Sequence, residues 1–438
     1  MVPRISRESP PTAAPEIAGE TSTGTCRPAS ARTWERGCTF SFSNPAARRR
    51  WASSSSFAEP KGQGDRSMNR ALLLALTLVA TAEMVEAQET LTSTPEQIVT
   101  RVGTRGAAFL ALGVGARGQA LGGAFGAAAD DVTSLYWNTA AMSRIDGFSA
   151  GMTTARLFDD LDIQHTFVGV VMPFGFTRIG ISVNTLDSGE MPWQSEYWPN
   201  AGYGGEQDPT AASFSWTGTA VGLHFAQPIT DRLTVGVAGK VVEEGITNAT
   251  ASYVGVDMST VFRTGLYGVT LGASLTNLGT SGRFEGNLLN SRVNTSFSEN
   301  QIDDFIRVME LSAATDHLEL PTSFRFSVML DLIGGADAIV SPDADQSLRL
   351  MADINDPVDA PQETALGLEY GFMGLAFVRA GKRFANEDQI DNGLMHAAAA
   401  GGGLRLPVGE LGTLSVDYAY TSMEQLENIQ VFSFQLQF

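Results

Sequence analysis

The stretch Val431-Phe432-Ser433-Phe434-Gln435-Leu436-Gln437-Phe438, at the end of the chain, decides the fold. From Phe432 onward, its even-numbered positions are apolar and its odd-numbered positions are polar. Because side chains alternate between the two sides of a strand, a strand here has one apolar face and one polar face. This pattern is typical of a strand with lipid on one side and water on the other.

The same alternation recurs backwards through the chain for almost three hundred residues. Segments of about ten residues suit a tilted crossing of a bilayer. We predict fourteen strands, which begin near Gly147, Gln164, Thr177, Phe214, Arg232, Ala251, Leu266, Thr322, Ser347, Thr364, Gly374, Ala397, Leu411 and Ile429.

The connections between these segments differ in length on the two sides. Those after even-numbered strands are mostly tight, whereas Thr185–Ser213, Leu278–Pro321 and Arg383–His396 follow odd-numbered strands and are long. Short turns on one side and long loops on the other are typical of bacterial outer-membrane barrels. A soluble β-sandwich is the alternative, but it does not explain the loop asymmetry, the polar second face and an export signal together.

The export signal begins at Met68. A basic start at Met68-Asn69-Arg70 precedes an apolar core over 71–82 and an imperfect cleavage site before Gln88, so 68–87 is predicted to be a secretory signal peptide. A signal peptide does not work from the middle of a chain. Residues 1–67 are therefore predicted to be an upstream artefact, with a disordered extension as the alternative.

Composition excludes several classes of function. Both cysteines, Cys26 and Cys38, precede the signal peptide, so the exported part has no disulfide and no cysteine metal site. The chain carries a formal charge of −19, which disfavours nucleic acid as a partner.

Residues 88–146 differ from the strands because they are rich in glycine and small residues, with little alternation. We predict a plug that fills the periplasmic half of the lumen. Within it we expect a loose helix over Ala116–Ala129, and a short helix through Leu135 capped by Asp130 and Asp131. The barrel itself is predicted to span 147–438.

Three charged residues lie on strand faces that we assign to the lumen: Lys240, Arg325 and Asp417. A lysine or arginine facing lipid at mid-depth costs about 2–4 kcal/mol, so we expect these side chains to point inward. There they either pair with the plug or take part in permeation.

Two long loops contain apolar residues that an ordinary polar surface loop lacks. A helix is predicted near Glu299–Ala313, because its apolar residues repeat at helical spacing. The loops form either a lid over the barrel mouth or a docking surface for another protein. The expected loop contacts are Trp193, Tyr197, Trp198 and Phe305.

Signatures of catalysis are weak. The segment 113–118 matches G-x-G-x-x-G, but no βαβ unit surrounds it. The four histidines lack ligand spacing, and no G-x-S-x-G elbow occurs. The aspartates at 343–345 and 353–359 lack an EF-hand framework. We therefore expect no enzyme, no catalytic residue, no cofactor and no metal site.

Several motifs together resemble one family. They are Gly115-Ala116-Arg117 through Leu121-Gly122-Gly123-Ala124-Phe125, Ala129-Asp130-Asp131, Leu135-Tyr136-Trp137-Asn138, Leu320–Arg325, Gly367–Tyr370, Arg379-Ala380-Gly381 and Asp417–Tyr420. This set resembles the PorV/PorQ family of outer-membrane proteins, which is related to the FadL-type transporters. One departure is Asn138-Thr139-Ala140-Ala141-Met142, where the family usually has Asn-Pro-Ala-Gly-Leu.

The resemblance implies a fourteen-stranded outer-membrane barrel, all-β, with a small N-terminal helical or irregular plug. Its plug motif would be Gly115, Gly122, Gly123, Asp130, Asp131, Trp137 and Asn138. The resemblance of the last strand to those of other outer-membrane barrels implies that Phe434, Leu436 and Phe438 form the signal read by the barrel-assembly machinery.

For function, the resemblance implies a non-enzymatic scaffold or shuttle of type IX secretion, which would contact secretion components and exported cargo. The alternative is a FadL-like channel for long-chain fatty acids or other hydrophobic small molecules, which predicts an apolar pocket between plug and wall. A third interpretation is a structural barrel without cargo. The partners expected in each case include outer-membrane lipid.

Overall fold

The structure is a computed structural model that describes residues 103–158, 161–192, 213–295, 307–334, 338–340, 345–385, 397–409, 412–423 and 428–438. The predicted leader 1–67, the signal peptide 68–87 and the first part of the plug segment lie outside the described residues.

Fourteen antiparallel strands form the wall of a barrel, as the alternation predicted. They are β1 (Ser149–Leu157), β2 (Ile163–Phe174), β3 (Thr177–Asp187), β4 (Trp216–Pro228), β5 (Leu233–Ile246), β6 (Ala249–Arg263), β7 (Val269–Gly279), β8 (Ser323–Ile333), β9 (Gln346–Pro357), β10 (Glu363–Phe372), β11 (Ala376–Ala385), β12 (Ala397–Pro407), β13 (Thr413–Met423) and β14 (Ile429–Gln437).

The first and last strands close the barrel. Strand β1 pairs with β14 in register from Ser149 opposite Gln437 to Arg156 opposite Gln430. Beyond the last strand, the Phe438 N–H donates to the Phe148 carbonyl at 2.8 Å. Each strand therefore has a paired neighbour on both sides, and the predicted fourteen-stranded barrel is confirmed.

The two faces of the wall have opposite chemistry. Phe434 is 50% exposed on the outer face, whereas many polar side chains are buried on the inner face. The exposed outer side chains include Met152, Val168, Ile181, Leu223, Phe225, Val237, Val241, Val254, Met258, Phe326, Leu350, Leu368, Val378, Tyr418 and Phe432. In a closed barrel, every backbone N–H and C=O group of the wall can form a hydrogen bond within the protein, as lipid requires. This architecture, with its apolar exterior, places the chain in the bacterial outer membrane.

The two ends of the barrel differ as the sequence predicted. At one end, the turns after β2, β4 and β10 span only two to four residues, and we call this the short-turn end. At the other, long-loop end, 188–215 and 280–322 connect β3 to β4 and β7 to β8. In outer-membrane barrels the short turns face the periplasm and the long loops face outward.

The long loops contain short β-ladders. Met191–Pro192 pairs with Ser213–Phe214, Ser281–Gly282 pairs with Leu318–Glu319, and Glu285–Gly286 pairs with β6. A 3₁₀ turn covers Asn287–Leu289. Asn290–Thr295 pairs with Arg307–Ser312, so the predicted helix over Glu299–Ala313 is wrong for 307–312. Pairing with a neighbouring strand overrode the helical spacing of its apolar residues.

The segment 103–148, which we call the hatch, lies inside the barrel. It contains a 3₁₀ turn at Ala108–Ala111, α1 (Ala116–Ala120), α2 (Ser134–Trp137) and a second 3₁₀ turn at Thr139–Arg144. No helix in the described part of the chain is long and apolar enough to cross a membrane.

The helices of the hatch are shorter than predicted. Helix α1 ends at Ala120 instead of continuing to Ala129, because Gly122 and Gly123 take positive φ values of 67° and 95° and turn the chain. Asp131 does precede a short helix. Its carboxylate accepts from the Thr133 N–H at 2.8 Å, in a turn before α2 rather than as its N-cap.

The hatch also runs further than the predicted periplasmic half. Near its start, the Gly106 N–H donates to the Glu319 carbonyl at 3.0 Å, at the long-loop end. It leaves at Gly147, where the Phe438 carbonyl would lie 2.0 Å from an added Cβ, at the short-turn end. The hatch thus passes through the whole lumen.

This path makes a topological prediction. Gly103 is exposed at the long-loop end, so a Gly103→Cys variant in a background without Cys26 and Cys38 should react with a membrane-impermeant maleimide on intact cells. Phe176→Cys, in an exposed short turn at the opposite end, is the matched control and should react only after the envelope is opened. Equal labelling of both on intact cells would contradict this threading.

Candidate functional site

The lumen wall is shaped to the backbone of the hatch. An added Cβ at Gly381 of β11 would lie 2.0 Å from the Leu121 carbonyl carbon, and one at Gly401 of β12 would lie 2.6 Å from the Ala120 Cβ. Since real Cβ atoms do not approach so closely, these wall positions require glycine. The middle of the hatch is therefore in direct contact with the strands.

On the opposite wall, glycines likewise allow close contact with the second half of the hatch. A Cβ at Gly180 of β3 would lie 2.4 Å from Leu135, and one at Gly236 of β5 would lie 2.3 Å from the Ala140 nitrogen. Around these glycines the hatch packs into an apolar cluster with the wall. Its buried members are Val114, Val132, Leu135, Met142, Ile145, Phe167, Val171 and Ala226.

Trp137 and Asn138 of the predicted plug motif organise the interior of the hatch. The Trp137 Nε1–H donates to the Val114 carbonyl at 2.8 Å, which ties α2 to the segment before α1. The Asn138 side chain accepts from the Ala140 N–H at 3.1 Å and donates to the Thr260 carbonyl of β6 at 3.1 Å. Asn138 thus caps the second 3₁₀ turn and fixes it to the wall.

The motif glycines have backbone roles. Gly115 takes a φ of 86° immediately before α1, and an added Cβ would lie 2.7 Å from Thr133. A Cβ at Gly122 would lie 2.8 Å from the Lys382 backbone nitrogen. These positions need glycine both for the left-handed conformation and for close contact.

A buried ion network, centred on Arg117, joins the hatch to the wall. The Arg117 guanidinium donates to both carboxylate oxygens of Glu369 on β10, at 2.8 and 3.0 Å. It also pairs with Asp130 and, at 3.5 Å, with Asp131, both in the hatch. Asp130 faces two cations, because Arg349 lies 3.5 Å from its other carboxylate oxygen.

In the wall, the network spans five strands, β8 to β11 and β13. Arg379 of β11 donates to Glu369 at 2.7 Å and to Asp417 of β13 at 2.6 Å. Arg349 of β9 pairs with Asp331 of β8 at 3.0 Å and reaches Asp130 at 3.5 Å. All these residues lie in the short-turn half of the lumen, so the hatch is fixed there by both charge and fit.

A second ion pair marks an irregularity in the wall. The Lys240 ammonium of β5 pairs with Asp257 of β6 at 2.8 Å and donates to the Asn277 side chain at 2.6 Å. The register of β6 against β7 shifts next to Asp257, and Asn277 takes a φ of 59°. This β-bulge aims the Asn277 backbone N–H at the Asp257 carboxylate, 2.8 Å away.

Apolar residues of the wall form a cleft at the long-loop end, and the hatch fills it. Phe109, which is 2% exposed, and Leu110 pack there against the inner side of strands β3 to β6. The Phe109 ring lies over Gly218, where an added Cβ would be 2.6 Å away, and meets Trp216 edge-on at 5.9 Å. The surrounding apolar residues are Leu186, Ala220, Val242, Ala251, Tyr253, Phe284, Leu318 and Leu320.

Three cavities between hatch and wall have volumes of about 30, 20 and 20 Å³. A cavity of this size holds little more than one or two water molecules. None of these three cavities is the apolar pocket that a hydrophobic-compound channel predicts, and Phe109 and Leu110 fill the apolar cleft.

The predicted lumen charges have different surroundings. Lys240 and Asp417 lie in the two ion networks. Arg325 stacks its guanidinium on the Trp137 ring at 4.7 Å. The predicted loop residues Trp193, Tyr197, Trp198 and Phe305 lie outside the described residues. Phe434 and Phe438 are exposed on the outer face, and Leu436 is half-buried.

Sequence reasoning missed Arg117, Glu369 and Arg379 as a set. All three residues lie within the family-like motifs, but those motifs are far apart along the chain and do not show that the side chains meet. Strand parity alone indicated that the latter two face inward. The four histidines suggested no metal site. His165 bonds Asn184 at 2.6 Å, His224 bonds Ser182 at 2.8 Å, and the described residues contain no metal-ligand cluster.

No family model matches the chain, and no curated protein matches it. Among solved structures, the CymD monoaromatic hydrocarbon channel is similar over 74% of this chain and 98% of its own, with 10% identity and a TM-score of 0.49. The Pseudomonas putida toluene transporter TodX is similar over 74% of this chain and 98% of its own, with 13% identity and a TM-score of 0.48. A Pseudomonas aeruginosa FadL homologue is similar over 74% of this chain and 97% of its own, with 13% identity and a TM-score of 0.44.

Removing the charge of Glu369 should loosen the hatch. Glu369→Gln leaves Arg117 and Arg379 buried without their shared carboxylate, and breaking a buried pair costs about 3–5 kcal/mol. We expect a lower urea midpoint in detergent and a raised ion conductance in planar bilayers. The control Glu243→Gln removes a carboxylate from the exposed face of β5; a conductance change as large as that of Glu369→Gln would contradict the assignment.

The close fit of the wall makes a separate prediction. Gly381→Ala should push Leu121 away from β11 and raise conductance, because its Cβ meets backbone rather than a flexible side chain. Gly239→Ala on β5, where no atom lies within 4 Å of an added Cβ, should behave as the wild type. If Gly381→Ala also leaves the single-channel conductance unchanged, the hatch shifts to accommodate the added Cβ, and the prediction is wrong.

Proposed function

We propose that this chain is an outer-membrane channel for small hydrophobic molecules and that the hatch is its internal closure. The observation that carries the proposal is the apolar cleft at the long-loop end. Ligand sites of this kind are concave, mostly apolar and largely preformed. Here the cleft faces the side from which an external solute arrives.

The cleft is suited to exchange its occupant. Burying a phenylalanine side chain contributes about 1.5–3 kcal/mol, and an apolar solute that replaces Phe109 recovers a similar amount. Ala107, at the base of this segment, has a φ of 52°, a left-handed conformation that costs a residue with a Cβ about 1–2 kcal/mol. Displacing Ala107–Ala111 would relieve this strain and leave the buried Arg117 network intact.

The names of similar structures agree with this class of solute. CymD is described as a monoaromatic hydrocarbon channel and TodX as a toluene transporter. The proposal does not depend on them, because it is drawn from the cleft.

The test is truncation of the occupant. Phe109→Ala removes the competing ring and should raise uptake of a radiolabelled apolar solute by about tenfold, the ratio that 1.4 kcal/mol of lost competition gives. Uptake is measured in a host strain that lacks hydrophobic-compound channels, with an aromatic and a long-chain acyl probe run in parallel.

The matched control is Phe225→Ala, which removes a phenylalanine from the lipid face of β4 and should leave uptake unchanged. If neither the wild type nor Phe109→Ala exceeds cells without the protein for either probe, the proposed function is wrong.

The type IX export role implied by the PorV/PorQ resemblance stays a prediction. Its expected contacts, Trp193, Tyr197, Trp198 and Phe305, lie outside the described residues, and no described residue favours it. Secretion of sorted cargo after deletion of the chain is the measurement that tests it.

A further inference from the structure

The short turns of the barrel carry apolar side chains at their tips. The turns after β2, β4, β6, β10 and β12 each expose a large apolar residue, and we call this set the apolar rim: Phe176, Ile229, Leu266, Met373 and Val408. Phe176 is 87% exposed and Leu266 is 65% exposed. An exposed apolar set of this kind marks a contact with a protein or a membrane.

The apolar rim is continuous with the face of the wall that meets lipid. The outward side chains of β2 that lead to Phe176 are Val168, Val170, Met172 and Phe174. The outward face of β6 ends on Phe262, shortly before Leu266. The outward face of β10 ends on Phe372, next to Met373. The rim therefore extends the lipid-facing surface of the barrel.

At the long-loop end, in contrast, the outward face becomes polar before the strands end. The exposed outward residues there include Arg156, Gln164, Asp187, Thr217, Thr219, Glu243, Thr250, Ser252, Asp356 and Lys382. The apolar band of the outer face is therefore displaced toward the short turns.

The height of this band shows what the turns contribute. On β2 the outward apolar residues run from Val168 to Phe174, about 16 Å along the barrel axis at a rise of about 3.4 Å per residue and a tilt of about 40°. On β5 they run from Leu233 to Val241, about 21 Å by the same geometry. Outer-membrane barrels have an apolar band about 25 Å tall. The strands alone fall short of this height, and the rim extends the band at the short-turn end.

Two exposed arginines lie at the level of the rim. Arg232 donates to the Thr264 carbonyl at 3.2 Å, and Arg263 donates to the Asp231 carbonyl at 2.7 Å. Asp231 is the one acidic residue in these two neighbouring turns. Because arginine recognises phosphate groups well, this part of the rim suits a layer of phospholipid headgroups.

We infer that the apolar rim inserts into the periplasmic leaflet of the outer membrane and that its partner is the phospholipid of that leaflet. The rim side chains lie at the boundary between acyl chains and headgroups, where Arg232 and Arg263 bind phosphates. The short turns thus lie within the leaflet rather than in the periplasm. The headgroup layer is hydrated, so a thiol at Phe176 still reacts there once the envelope is opened. This interaction does not depend on the proposed channel function.

The test is the depth of the rim in a bilayer of known composition. Residues 88–438 contain no cysteine, so Phe176→Cys, Leu266→Cys and Met373→Cys can each carry a single nitrobenzoxadiazole fluorophore. Each variant is placed in nanodiscs of dioleoylphosphatidylcholine with one barrel per disc, so that no second copy shields the probe. We expect phosphatidylcholine with a doxyl group near its headgroup to quench all three probes. Because apolar groups enter the boundary between headgroups and acyl chains by about 5–10 Å, iodide should quench them about threefold less than the control.

The matched control is Thr217→Cys, at the polar outward end of β4, where iodide should quench the probe strongly and the spin-labelled lipid weakly. Heat-dependent gel mobility confirms that each variant is folded, and Ile229→Cys replaces any rim variant that is not. If iodide quenches any rim probe as strongly as the control, that part of the rim faces water and is free for a protein partner or a second copy. This result would overturn the inference.

Discussion

Pairing between the first and last strands is the interaction on which the rest of the structure depends. In lipid, every backbone N–H and C=O must be bonded within the protein, so an open sheet edge is not tolerated. The ladder between β1 and β14 removes both edges at once. Closure also creates an interior in which Glu369, Arg379 and Asp417 are shielded from lipid. Because these charges are buried there, they need partners, and they form ion pairs with one another.

The interior is filled by close contact and a buried ion network in the short-turn half, and by an apolar cluster at the long-loop end. In the short-turn half, wall glycines approach the hatch backbone and Arg117 shares a buried carboxylate with the wall. Glycine permits this approach because it has no Cβ. At the long-loop end, the hatch contributes Phe109 to an apolar cleft and borders a polar recess, the cavity of about 30 Å³ that Arg325, Asp353 and Arg383 line. The two ends of the hatch are thus held by different kinds of contact.

At the mouth of the lumen, the cleft is apolar and the recess is polar. Ala108–Ala111 separates them, with Phe109 on the apolar side and Ala111 on the polar side. A short turn beside a left-handed residue is a suitable element for rearrangement, because few backbone bonds hold it.

The strands, their number and the face of each that meets lipid could all be predicted from the sequence. Alternation with period two is a local property, so Phe432 and Phe434 were assigned outward without knowledge of any partner. Local signals also indicated that Lys240, Arg325 and Asp417 face inward. The path of the hatch, the end of α1 at Ala120 and the strand at 307–312, where helical spacing predicted a helix, became evident from the folded chain. The tertiary structure alone joined Arg117 to Glu369, which are 252 residues apart along the chain, because such contacts exist only once the barrel has closed around the hatch.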